Sequence, residues 1–511
     1  MSFRYFRLGV HADRRYTLCI ITILCLVLPL WIGCLSTKSW HASAESTKNN
    51  SAPPLSIFVV ETAGDHMMLL QPQPSLSFTY GRNVSLLEIA INDTKQFQQM
   101  DGFGASLTDS SAWLISKKLG AEQRRELMEK LFDPTVGIGI SFLRQPMGAT
   151  DFSAAGNYSY DDVPDGQTDL NLVHFSIAHD SDYIIPLVKQ AISINPTLKV
   201  MALPWSPPAW MKATGTMSGG EMKTEYFPSL AQYFVYFVKA YQKEGIPIYA
   251  LSVQNEPLYS TTEYPSESLA ANDEANFIAN HLGPALRRAG LGDIKIFAYE
   301  HNWINTAYPE SVLGSSAAQF IAGTSFHCYA GDPSAQSIVK AFSSTHDIWF
   351  TECSGVTRTG FAADLVWNAQ HLLIGATRNW ARTVSIWNMA LDQNSGPRNG
   401  TCSNCRGVVT IDDSVSPAKI TPNVEYYILG HLAKFVVPGA HRIDSNTFGA
   451  GSIEDVAFQN PDGSIVLLVL NSAKNAKSFT VAWKGQSFNY QLPAGALATF
   501  SWKQELASAS K

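Results

Sequence analysis

A chain of 511 residues with 45% hydrophobic and 16% charged residues buries a sizeable core, which excludes a disordered or fibrous protein. Residues 1–44 carry five basic residues and one acid, so without them the net charge moves from −6 to −10, a balance that excludes a general nucleic-acid binder. Three of the seven cysteines (Cys19, Cys25 and Cys34) fall in that segment, and the other four are too few for a disulfide framework.

In chain order, Arg4, Arg7, Arg14 and Arg15 precede an apolar run from about Tyr16 to Leu35, and Ala42-Ser43-Ala44 follows. A basic head, apolar middle and A-x-A site predict an export signal over residues 1–44, hence a secreted or extracytoplasmic protein. The run approaches the roughly 20 residues that span a bilayer, so an N-terminal membrane anchor is the alternative. Residues 45–54, rich in Ser, Lys, Asn and Pro, read as a linker. Short β-type runs follow, Ile57 to Val60 and Leu86 to Ile91. The same texture returns near the C-terminus, where Val456 to Phe458 and Ile465 to Leu470 flank the turn Asn460-Pro-Asp-Gly463, and Phe479 to Trp483 and Leu497 to Trp502 add strands. These segments predict one β-sandwich formed from both chain ends, residues 55–95 plus 436–504.

Between them, over residues 96–435, apolar strands alternate with amphipathic helices such as Ser181 to Ser193 and Leu230 to Glu244. Eight strands are expected, ending at Gln99–Gly104, Phe142–Arg144, Val200–Leu203, Tyr249–Val253, Lys295–Ala298, Thr324–His327, Ile348–Thr351 and Val384–Trp387. Nearly all-apolar strands separated by helices predict a parallel sheet covered on both faces, and eight such units close into an α/β fold, the (β/α)8 TIM barrel.

Active sites of such barrels lie at the C-terminal ends of the strands. There the fourth strand runs into Gln254-Asn255-Glu256-Pro257 and the seventh into Thr351-Glu352-Cys353. One strand-end acid alone reads as a solvated loop residue; two facing one cleft suit glycosidic hydrolysis, in which one acid protonates the leaving oxygen and the other attacks or activates water. Taken singly, Trp205, Trp210 and Trp387 also read as barrel core, Arg144 as a structural ion pair and His327 as a core histidine. His174 and His179 have no metal-like partners, and Cys402-Ser-Asn-Cys405 lacks a second zinc half-site, so it reads as a local disulfide or two free thiols. Asn83, Asn92, Asn157 and Asn399 begin N-x-S/T triplets.

Five motifs carry a resemblance: Gly102-Phe-Gly-Ala-Ser-Leu-Thr-Asp109, Arg144-Gln-Pro-Met-Gly-Ala-Thr-Asp-Phe152, Pro204-Trp-Ser-Pro-Pro-Ala-Trp-Met211, Gln254-Asn-Glu-Pro257 and Trp387-Asn-Met-Ala-Leu-Asp392. The chain resembles glycoside hydrolase family 30, which includes lysosomal glucosylceramidase and microbial β-1,6-glucanases. The resemblance implies a retaining β-glycoside hydrolase acting by double displacement, glucosylceramidase-like or an endo-β-1,6-glucanase. It implies Glu256 as acid/base and Glu352 as nucleophile, their carboxyls roughly 5–5.5 Å apart. It further implies Asn255 on the sugar 2-hydroxyl, Arg144 and Asp151 as sugar ligands or orienters of Glu352, Trp205 and Trp387 as walls of the sugar subsite, Tyr329 on the nucleophile and His327 lining the cleft. Burial or the charge of Glu352 is expected to raise the pKa of Glu256.

The reading calls for no metal or organic cofactor. The expected partner is a β-glucan or a glucosylated lipid, with membrane contact only through an uncleaved N-terminus or a lipid substrate. The alternatives are a β-xylanase or β-fucosidase of the same family and a catalytically silent carbohydrate-binding protein. Lysosomal relatives carry Trp where this chain has Cys328, and Cys353 directly follows Glu352 instead of standing one residue further on; these departures leave the aglycone open. The segment Asn394 to Gly407 after strand eight is expected to shape the leaving-group side of the cleft.

Overall fold

The computed structural model describes residues 55–81, 86–357 and 360–503. The expected export segment, the linker and Asn83 lie outside the described residues. Eight parallel strands follow one another around a single sheet: Gly102–Ser106, Phe142–Pro146, Lys199–Leu203, Ile248–Ser252, Lys295–Asn302, Ile321–His327, Asp347–Glu352 and Thr383–Ile386. The last pairs with the first, Thr383 opposite Gly102. A bridge from Ile348 to Ala381 joins the seventh strand to the entry of the eighth and closes the barrel.

Alternation along the strands divides their side chains between two environments. Phe142, Met201, Ala250, Phe297 and Trp349 fill the barrel interior, with the rings of Phe297 and Trp349 stacked 3.9 Å apart. Their neighbours Leu143, Val200, Leu251, Ile296 and Phe350 join the core beneath the surrounding helices. Both faces of the sheet are therefore dry, which is why the strands read as continuous apolar runs. Among the helices are Ile184–Ile194 and Phe227–Lys243. The second begins three residues earlier than expected, because Pro228 sits in its first turn, where a missing N–H costs nothing.

The sandwich is assembled from both chain ends. The first strand, Ser56–Thr62, pairs antiparallel with the last, Leu497–Trp502, with Val59 opposite Phe500. The long strand Leu87–Gln99 pairs antiparallel with His441–Ser445 and in parallel with Lys477–Trp483. Around Asn460-Pro-Asp-Gly463 the expected hairpin forms, Val456 opposite Leu468, with Gly463 at φ +82° where a side chain would be strained. Strand Ile465–Asn471 shows what holds the two layers together. Ile465, Leu467 and Val469 face the sandwich interior, while Val466, Leu468 and Leu470 pack against the barrel. At that junction His431 binds Thr62 and Thr499 at 2.8 and 2.9 Å, and burial holds its imidazole neutral, pushed down to about 3. Among the described residues, no helix is long and apolar enough to cross a membrane.

Candidate active site

The C-terminal ends of the strands meet around a cavity of about 300 Å³ lined by Asp151, Trp205, Asn255, Glu256, Tyr329, Glu352 and Trp387. Seven of the nine residues expected at the site line it. Arg144 and His327 lie directly beneath, without exposed surface.

Arg144, on strand two, spans the floor. Its Nε donates to Glu300 Oε1 at 3.0 Å, Nη1 to Glu352 Oε2 at 2.6 Å and Nη2 to Asn255 Oδ1 at 2.8 Å. Trp205 and Trp387 stack with ring centres 4.9 Å apart, and the guanidinium lies 4.8 Å from the first and 5.4 Å from the second. Of the two roles expected for Arg144, the geometry selects orientation of Glu352; direct contact with sugar is corrected, because each of its three nitrogens already meets a protein acceptor and the group has no exposed surface. Tyr329 donates from its hydroxyl to Glu352 Oε1 at 2.7 Å, so both oxygens of Glu352 are fixed. Asp151 keeps Oδ1 buried without a hydrogen-bond partner, and burial together with the charges of Glu352 and Glu256 drives its pKa well up. Asp151 Oδ1 and His301 Nδ1 are thus buried polar atoms on the cleft lining without a hydrogen-bond partner. Trp210 donates to Asp161 and does not line the cleft.

Glu256 sits just past strand four in the left-handed region, φ +46°, where its N–H donates to the carbonyl of Glu300 at 3.1 Å. That conformation is strained for a side-chain-bearing residue and turns the carboxyl towards the cleft. One carboxylate oxygen from each of Glu256 and Glu352 and one nitrogen of His327 lie within 4.8 Å of one another. The trio has the residue types of a metal site, yet the cations that answer its carboxylates belong to the chain itself: Arg144 on Glu352, and His327.

His327 ends strand six. A register shift lets it stand opposite Glu352, so that both side chains point to the axis. Its Nδ1 lies 3.3 Å from Glu256 Oε1 and 3.7 Å from Glu352 Oε1, and its Nε2 lies 3.4 Å from Glu300 Oε1. The expected upward shift of Glu256 is overturned here. Burial does push that carboxyl up, but the hydrogen bond and charge of His327, with His301 and Arg144, outweigh burial and leave it below the ordinary range.

Three features escaped the sequence reading. Glu300 is buried and accepts from Arg144, His327, Ser252 and Ser325, and the cations hold its carboxyl down at about 2 against the penalty of burial. His301 Nδ1 stands 3.6 Å from Glu256 Oε1. Glu300 and His301 follow Tyr299 in turn on strand five, so the rule that singled out Glu256 applied to them too; the expected strand stopped at Ala298. The third is a disulfide between Cys328 and Cys353, which ties together the residues following His327 and Glu352. A second disulfide joins Cys402 to Cys405 on the cleft wall. His179, as expected, serves the scaffold: it and Tyr183 bind Asp109, whose other oxygen accepts from the amide of Ala154 at 2.6 Å and so anchors the loop that begins at Asp151.

A (β/α)8 barrel with two carboxylates at the ends of strands four and seven, braced from below by arginine, defines a hydrolase of glycosidic bonds. The chain matches the glycosyl hydrolase family 30 TIM-barrel domain over residues 100–436 and that family's β-sandwich domain over residues 439–500, and it belongs to glycosyl hydrolase family 30. It is 31% identical over 488 residues to endo-1,6-beta-D-glucanase neg1 of Aspergillus fumigatus, covering 90% of this chain and 96% of that one. It is 35% identical over 424 residues to the endo-1,6-beta-D-glucanase of Neurospora crassa (80% and 86%). Lysosomal acid glucosylceramidase of Mus musculus is 28% identical over 443 residues (82% and 84%). Among solved structures, the endo-β1,6-glucanase BT3312 superposes with a TM-score of 0.81 at 29% identity, covering 88% of this chain and all of that one.

Proposed function

We propose that this glycoside hydrolase is an exported, retaining endo-β-1,6-glucanase in which Glu352 is the nucleophile and Glu256 the acid/base. The observation that carries the mechanism is spacing. Carboxylate oxygens within 4.8 Å leave no room for a water between the acids, whereas inversion needs carboxyls roughly 6.5–9.5 Å apart. Glu352, fixed by Arg144 and Tyr329, attacks the anomeric carbon; Glu256 supplies the proton to the leaving oxygen and then takes one from water. Asp151 receives a sugar hydroxyl on its unpartnered oxygen.

Two observations favour a glucan over a glucosylated lipid. Relatives named as endo-1,6-β-glucanases are 30–35% identical to this chain, against 28–30% for relatives named as glucosylceramidases. The cleft wall beyond the acids includes Tyr259, Tyr264, Asn302, Ser354 and the Cys402–Cys405 bridge, and among the described residues no aliphatic side chain lines it to receive a lipid tail. The basic-apolar-small pattern of residues 1–44 supports export.

The test is a product profile on β-1,6-glucan and on glucosylceramide in detergent, with Glu352→Gln as control. Internal cleavage of the glucan, releasing β-anomers first and lost in the mutant, is expected. Ceramide release with an intact glucan would transfer the protein to sphingolipid metabolism; cleavage only of a xylan or fucoside would replace the sugar assignment; binding without turnover would mark a silent lectin.

A further inference from the structure

We propose that His327 stores the proton that Glu256 delivers, and that Glu300 is the positioning residue that keeps it on His327 until the nucleophile has reacted. The inference rests on the roles given above to Glu256 and Glu352. Its basis is the enclosure of the ring, which has no exposed surface and faces a carboxylate oxygen with each nitrogen. A neutral imidazole carries one hydrogen, so one of its nitrogens would present a lone pair to a carboxylate in a dry site; the doubly protonated ring satisfies both sides.

The groups around it come from five strands: Arg144, Glu256, Glu300 with His301, Tyr329 beyond the ring's own strand, and Glu352. The three carboxylates outnumber Arg144, and an imidazolium offsets one of the two remaining charges. In agreement, burial opposes the charged ring, but Glu352, Glu256 and Glu300 override it and lift its pKa to about 9, while Glu256 is held low.

The proton then moves with the chemistry. As Glu352 bonds to the anomeric carbon and the bond to the aglycone oxygen breaks, His327 Nδ1 passes its proton to the ionised Glu256, which hands it on to that oxygen. Glu352, now an ester, carries no charge, and the ring loses a carboxylate 3.7 Å away, so release is favoured when the leaving group needs it. The intermediate holds a neutral His327, an ionised Glu256 and a glycosyl ester. Water reverses the path: its proton passes to Glu256 and on to His327, its oxygen bonds to the anomeric carbon, and Glu352 departs as a carboxylate.

Side-chain nitrogen NMR of the whole enzyme at pH 7 tests this directly. An imidazolium at His327 in the free enzyme and a neutral ring in the enzyme trapped with a 2-fluoro glycoside are expected; the same state in both would overturn the proposal. Kinetics supply the second arm, with aryl glycosides of the oligosaccharide the enzyme cleaves. His327→Asn should lose about 10²-fold or more on a phenol leaving group and under about tenfold on dinitrophenol, which departs without a proton. Equal losses on both would mean a packing role only and would sink the idea. Glu300→Gln should move the titration of His327 to lower pH; an unmoved titration would remove Glu300 from the scheme. Glu256→Gln separates the two levels. If it lacks the leaving-group dependence, the acid/base assignment itself fails; if it has that dependence and His327→Asn does not, only the proton store fails.

Discussion

Arg144 is the residue on which the geometry of the site turns, because its three-pronged contact ties the nucleophile Glu352 to Glu300 and to Asn255, the neighbour of Glu256. A planar guanidinium reaches three acceptors at once; an ammonium is a point charge with no fork. Arg144→Lys is therefore expected to keep the fold while lowering kcat/KM by about 10²-fold, the scale on which small misplacements of reacting groups act. Arg144→Met is a different case. It leaves buried carboxylates without their cation, which costs about 3–5 kcal/mol, so its melting temperature should fall well below that of Arg144→Lys. Equal melting temperatures for the two variants would show that the charge of Arg144 does not hold the site together. At this scale the sequence displayed the strand-end acids, Arg144, Asp151, Tyr329 and the tryptophans through motif and position. It did not display the sign of the Glu256 shift, because that sign comes from a histidine 71 residues away in the chain.

Among the elements, the loop after strand eight brings Cys402 and Cys405 to the cleft wall. The amides of Asn399 and Gly400 donate to the carbonyl of Asp151 at 2.8 and 2.9 Å. Cys405 and Arg406 pair with Gly355 and Val356 beyond strand seven, and Arg406 is pinned by Glu425 and Asp364. The Cys402–Cys405 bond closes the tip. The loop thus leans on the ends of strands two and seven, and Cys402 and Cys405 reach the cleft wall. Gly400 permits the approach: a Cβ there would stand 2.8 Å from the Cβ of Asp151 and 3.0 Å from the ring of Tyr264. Gly400→Val should displace one of them and lower kcat/KM by about tenfold or more at an unchanged melting temperature. Replacing residues 394–407 with a short turn should change the ratio of kcat/KM between substrates with different leaving groups; a constant ratio would deny the loop any part in specificity. The loop's position was legible from its place after strand eight. The Cys328–Cys353 bond was not, because it depends on a register shift between strands six and seven that has no local signature. Strand five was cut short for a related reason. Tyr299 and Glu300 have positive φ, and their polar run looks like a loop although it stays in the sheet to Asn302.

Across the whole molecule, burial and charge pairing act on stability in opposite pH directions, and their balance fixes where the fold is strongest. Glu300 is held at about 2 in the fold against an ordinary 4.5, so its contribution is complete above about pH 4.5 and is lost as the pH falls towards 2. Buried acids act the other way. Burial lifts Glu274 to about 7 and Asp180 and Asp455 to about 6; each stays protonated in the fold while it ionises in the unfolded chain, so stability declines as the pH rises from about 4 to 7. His327, lifted to about 9, adds stability that is complete below 6.5 and disappears between there and 9. The three trends leave a maximum near pH 4–5. Thermal melts should show the highest Tm there, a fall of several degrees by pH 7 and a further fall by pH 9. Glu274→Gln removes one of the acids responsible, while its amide oxygen can still accept from the amide of Tyr299 as the carboxylate does at 3.1 Å. In that variant the decline between pH 4.5 and 7 should flatten. A wild-type Tm that climbs from pH 5 to 7 would mean that the buried acids are not held protonated in the fold, and it would overturn this account.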